Sequence, residues 1–279
     1  MAGAGRATMG EALHAILGPD PGLTLAAAGL QANAAAAAAI GLVAAVRLPV
    51  RRLYGAETAY QLWRIPPAAA LAGLVLFFVN LPRGFEAPPA AAALAGPALL
   101  AWLVGVLAIG AAFARAQARF HAELRAGRAG PAVVGLISPR IVMPADDGGY
   151  SAEERALIRA HERIHVARKD PRAIALLAGA QCLCWFNPMV HLAARLLRLD
   201  QELACDAAVM LSRPKARGVY AGALLKTQLA ATPLPLGCYW PARGRHPLEV
   251  RVALLARAGG GASGPGRGVV HAPCQAIRP

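Results

Sequence analysis

Three long apolar runs constrain this chain more than any other feature. Residues 23–46, 65–81 and 88–113 are almost free of charge. Each approaches or exceeds the ~20 residues that a helix needs to cross a bilayer. Composition agrees: 57% of the 279 residues are hydrophobic and 16% charged, against about 45–50% and about 25% in ordinary soluble domains. A disordered chain is excluded, because it lacks the apolar content to form a core. The expected fold class is mainly α, with polytopic membrane helices at 23–113 preceded by an N-terminal segment, 1–22. The first run is Ala-rich, and Gln31 and Asn33 within it are expected to face neighbouring helices.

Charge assigns the sides. The formal net charge is +14. Arg47, Arg51, Arg52 and Arg64 follow the first run, and Arg115, Arg119, Arg125 and Arg128 follow the third. The connection between the second and third runs holds only Arg83 and Glu86. The positive-inside rule then puts the N-terminus outside, a loop at 47–64 inside, the 82–87 turn outside, and everything after about Arg115 inside. Such a charge also suits a nucleic-acid binder, but no recognition motif accompanies it, so no direct nucleic-acid partner is expected. The cysteines number 5 and show no paired spacing, which reads as reduced thiols rather than a disulfide framework.

The segment 114–258 reads as one domain. Val133-Val134 and Ile141-Val142-Met143 are short β-type runs split by Gly135, Ser138 and Pro139, which predicts a small hairpin. Asp146-Asp147-Gly148-Gly149 is a turn. Ser151 and Glu154 form a capping box that opens a helix. On it, Leu157, Ala160, His161, Ile164, His165 and Arg168 share one face. His161-Glu162-Arg163-Ile164-His165 is an HExxH sequence. Residues four apart on a helix are neighbours, so both imidazoles can reach one ion, and neutral imidazole suits Zn2+. Glu162 flanks that ion and can take a proton from water.

Catalytic zinc ordinarily has three protein ligands. Glu202 and Asp206 lie four apart in DQELACD. Glu202 as ligand, with Asp206 orienting a histidine, is chemically sensible. A single span through AIALLAGAQCLCWF would carry Glu202 away from the histidines. Asp170-Pro171 starts a helix as N-cap and first position, and Asn187-Pro188 should break it, because the residue before proline avoids helical angles. The expectation is a helical hairpin over 171–210, dipping into the membrane or capping its inner face, that brings Glu202 back.

These pieces together resemble the BlaR/MecR-type integral-membrane zinc peptidases, the gluzincins of peptidase family M fifty-six. The residues that carry the likeness are YGAETAYQLWRIPP, VVGLISPRIVMP, HERIHVARKD, WFNP and DQELACD, in that order. The resemblance implies a zincin-like domain on the cytoplasmic side, zinc ligands His161, His165 and Glu202, and Glu162 as catalytic base. It further implies a bacterial inner-membrane metalloendopeptidase in a signalling response, with the lipid bilayer and a protein substrate as partners. That substrate would be a helix-turn-helix transcriptional repressor or the chain itself. For the oxyanion, Tyr220, Tyr239, His246 and nearby arginines are all candidates. After HPLEVRVALLAR the sequence runs into GGGASGPGRG and a tail, 259–279, expected to be disordered, with no further apolar span or penicillin-binding-like sensor. A catalytically silent membrane signalling scaffold is therefore the competing expectation.

Overall fold

The computed structural model describes residues 20–81, 88–143, 149–229 and 247–257. The readings at 1–19, 82–87, 259–279, Asp146–Gly148, Tyr239 and His246 lie outside the described residues. The remainder is mainly helical, with one two-stranded antiparallel hairpin.

The first three long helices come from the apolar runs. Helix α1 (Pro21–Tyr54) is followed by short α2 (Ala56–Gln61), one 3-10 turn (Leu62–Arg64) and α3 (Ile65–Val79). Helix α4 spans Pro89–Arg125. Pro21–Tyr54, Ala56–Val79 and Pro89–Arg125 are each long and apolar enough to cross a membrane. α1 and α3 pack along their length. A Cβ on Gly73 would lie 3.0 Å from the Ala35 Cβ and 3.3 Å from the Ala32 Cα. Small residues thus bring these two backbones together, as packing in lipid favours.

Two helices run beyond their apolar runs. α1 passes through Pro49 to Tyr54, and α2 follows directly, so the stretch 47–64 is almost wholly helical rather than a loop. Its polar residues point at partners far along the chain, as the site below makes clear. α4 likewise continues to Arg125.

β1 (Ala132–Val134) pairs antiparallel with β2 (Arg140–Val142), Val133 opposite Ile141. The hairpin packs with Phe120, Leu124 and Ala129, which ties the end of α4 to helix α5 (Ala152–Arg168). α5 opens on the expected capping box: the Glu154 amide donates to the Ser151 hydroxyl at 3.2 Å, and the Ser151 amide donates to Glu154 at 2.7 Å.

Lys169, in the left-handed region at φ 60°, turns α5 sharply into α6 (Asp170–Leu183). Asp170 is the first residue of α6 and its side chain does not cap that helix; it turns toward α5 and α2 instead. α6 ends at Leu183. Asn187, extended at φ −93° and ψ 110°, caps α7 (Pro188–Ser212) through Met189 N–H. The tip between these helices reaches the apolar part of the bundle. Trp185 lies against Gly105 of α4, where a Cβ would fall 2.0 Å from the indole. The Trp185 indole donates to the Trp102 carbonyl at 3.2 Å, and the Trp102 indole donates to the Leu183 carbonyl at 2.8 Å. Asn187 donates to the Asn33 side chain of α1. His191 meets the Trp185 carbonyl at 2.9 Å. Side chains thus satisfy backbone groups freed at the tip. Asn33 faces a neighbouring helix, as its polarity suggested.

α7 then runs back to α5. A last turn (Pro214–Ala216), α8 (Arg217–Leu229) and α9 (Pro247–Arg257) close the domain. Leu157, Val209, Tyr220, Leu224 and Leu255 form its core beside the HExxH helix.

Candidate metal centre

The two histidines of α5 stand one turn apart, and their Nε2 atoms are 3.0 Å from each other. α7 brings Glu202 to the same point. Its Oε2 is 3.3 Å from His161 Nε2, and its Oε1 is 3.5 Å from His165 Nε2. Zinc bonds of about 2.0–2.1 Å in tetrahedral geometry set donor–donor edges of roughly 3.3–3.4 Å. The three separations bracket that value, so the donor set fits one zinc-sized ion. The histidines are nearly enclosed, while the Glu202 side chain keeps 33% exposure, which leaves the centre open on one side.

Each imidazole is fixed through its other nitrogen. His165 Nδ1 lies 2.7 Å from Oδ2 of Asp170. His161 Nδ1 lies 2.8 Å from the Tyr220 hydroxyl, which donates to Oδ1 of Asp206 at 2.7 Å. Carboxylates only accept, so both rings carry hydrogen on Nδ1 and direct Nε2 toward Glu202. Asp206 is itself 3.4 Å from His161 Nδ1. Arg251 of α9 donates to both of its oxygens, at 2.8 and 2.7 Å, and pairs with Glu202 at 2.9 Å.

The electrostatics follow. Burial works against a charge on Glu202, but Arg251 and the histidines hold its carboxyl well below the usual range. Burial would lower His161, yet the Asp206 and Glu202 carboxylates raise it to about 10. Glu162 is buried beside this group, and burial pushes its carboxyl up against the pull of the two histidines. A carboxylate with raised proton affinity next to a metal-type donor set suits general-base work.

A sulfur donor also approaches. His161, His165 and Cys205 offer ligand atoms within 4.8 Å of one another. Cys205 Sγ, however, lies 3.5 Å from Nδ1 of His165, the nitrogen already held by Asp170. Burial pushes its thiol well up, so it is a protonated thiol and a poorer donor than Glu202.

All five residues singled out in the sequence, His161, Glu162, His165, Glu202 and Asp206, meet here. Tyr220 does not fit an oxyanion role: it is fully buried, with its hydroxyl engaged by His161 and Asp206. Asp170 and Arg251 carry contacts that sequence spacing did not reveal. Asp170 was legible as an N-cap and as the last residue of HERIHVARKD, and Arg251 as one arginine of HPLEVRVALLAR, neither as a partner of the metal centre.

Comparison with known proteins points the same way. Over 103 residues the chain is 31% identical to the regulatory protein BlaR1 of Bacillus licheniformis, covering 36% of this chain and 17% of that protein. The chain therefore spans about a sixth of that relative's length. No solved structure matches. The sequence profile described as BlaR1 peptidase M56 matches residues 91–255. That stretch is more than half of the chain and holds both HExxH and Glu202, and the chain accordingly belongs to the M56 peptidase family.

Proposed function

We propose that the chain is a membrane-embedded zinc metalloendopeptidase that cleaves a cytoplasmic regulatory protein, or itself, in a signalling response. The observation that carries this reading is the convergence of two Nε2 atoms and the Glu202 carboxylate within 3.0 to 3.5 Å. His161, His165 and Glu202 would hold Zn2+, and when bound it makes a water more acidic and polarises the scissile carbonyl. Glu162 accepts the water proton and passes it to the leaving amine. Asp170, Tyr220 and Asp206 keep the rings in register, and Arg251 keeps Glu202 ionised.

Charge supports a cytoplasmic centre. The α7 residue Asp200 binds Arg47 and Arg51 at the basic end of α1. The centre therefore sits at the arginine-rich end, which the positive-inside rule assigns to the cytoplasm of a bacterial plasma membrane. The signalling context rests on the regulatory protein BlaR1 to which the chain is similar. A helix-turn-helix repressor is the proposed class of substrate.

Glu162→Gln tests this. In detergent micelles the variant should bind zinc like the wild type. It should lose self-cleavage on gels and cleavage of a quenched fluorescent peptide library. A wild type that binds zinc but cleaves nothing, with signalling intact in Glu162→Gln cells, would favour the silent scaffold.

A further inference from the structure

The connector between the first two membrane helices touches both halves of the metal centre. Tyr60 of α2 donates its hydroxyl to Oδ1 of Asp170 at 2.8 Å. The other oxygen of that carboxylate is the one that holds Nδ1 of His165, at 2.7 Å. The Arg168 guanidinium stacks 4.3 Å over the Tyr60 ring and pairs with Glu57 at 3.0 Å, which fixes the phenol from above. At the far side, the Trp63 indole and Arg47 each reach Asp200 at 2.9 Å. Asp200 is fully buried and stands two residues before Glu202 on α7. These connector residues precede residue 91, where the family match begins.

The division of labour on Asp170 is the telling point. One oxygen orients a ring whose opposite nitrogen faces Glu202, and the other accepts from Tyr60, in a different part of the chain, with Arg168 Nε at the longer distance of 3.6 Å. A phenylalanine at 60 would keep the ring under Arg168 and remove only the hydroxyl, which donates to Asp170 at 2.8 Å and accepts a longer contact from the Gln201 amide at 3.5 Å. We propose that Tyr60 is a positioning residue of the metal centre, holding His165 through Asp170, and that the connector of the first two spans is thereby part of the site. This rests on the metallopeptidase reading above.

Zinc affinity of the full chain in detergent, measured by competition with a chromophoric chelator, tests it. Tyr60→Phe should weaken zinc binding by about tenfold or more, in the range for residues that orient metal ligands. Its cobalt-loaded form should show an altered absorption spectrum. Thr58→Ala, which removes an exposed hydroxyl of the same connector that donates to the Tyr54 carbonyl at the end of α1, should change neither. The double variant Tyr60→Phe/Asp170→Asn should bind no more weakly than Asp170→Asn alone, because the two residues act in series. Wild-type affinity in Tyr60→Phe, or additive losses in the double variant, overturns the inference while leaving the metallopeptidase reading standing. A wild type that binds no zinc overturns both.

Discussion

The Tyr220 hydroxyl stands 2.8 Å from Nδ1 of His161 and hands its own hydrogen to Asp206. This fixes which nitrogen of the ring is left for a metal. Tyr220→Phe removes the link without opening the core, since the ring stays among Leu157, Val209 and Leu224. Zinc affinity should fall by about 10–100-fold. Were Tyr220 instead an oxyanion donor, the variant would keep its affinity and lose only kcat, and chelator competition beside kinetics separates the two.

Proton competition at His161 gives a pH dependence. Its pKa is raised to about 10, burial being outweighed by Asp206 and Glu202. The metal-free ring thus holds a proton that a metal must displace. Apparent zinc affinity should climb by about tenfold per pH unit near neutrality for that one proton, with proton uptake by the buffer seen in calorimetry. The fold shows the opposite slope: His161's contribution to metal-free stability is full below its unfolded value of about 6.5 and is lost as pH rises through about 10.

Gly105 leaves room for the hairpin tip. A methyl group there would meet the Trp185 indole at 2.0 Å, so Gly105→Ala must displace the ring and its bond to Trp102. The cost should be about 1–3 kcal/mol, read as a lower melting temperature in detergent. Gly96→Ala on the same helix has open space and should leave the midpoint unchanged.

Asp200 is the buried tie between α7 and α1. Removing it leaves Arg47 and Arg51 without their shared carboxylate. Asp200→Ala should destabilise the fold by about 3–5 kcal/mol. Replacing Glu123, which pairs with Arg128 at an exposed site, should leave the melting temperature nearly unchanged.

Features written in local pattern were readable in the sequence. Run length revealed the membrane helices, Ser151 and Glu154 the start of α5, and Asn187-Pro188 the break that lets α7 return Glu202. The stretch 47–64 misled because polarity was its only local signal. Arg47 and Arg51 look solvated until Asp200, more than a hundred residues on, is placed between them. The orienting roles of Asp170, Tyr220 and Arg251 escaped for the same reason. The residues that orient a ligand are neighbours through tertiary packing, and no helical or strand period relates them to His161 or His165.

X-ray absorption at the zinc edge of the purified wild-type protein reads the donor set of His161, His165 and Glu202 itself. One zinc is expected, bound by two imidazoles and oxygen donors at about 2.0–2.1 Å, lost in Glu202→Ala and retained in Cys205→Ser. A sulfur shell at about 2.3 Å, or zinc retained by Glu202→Ala and lost from Cys205→Ser, would contradict it.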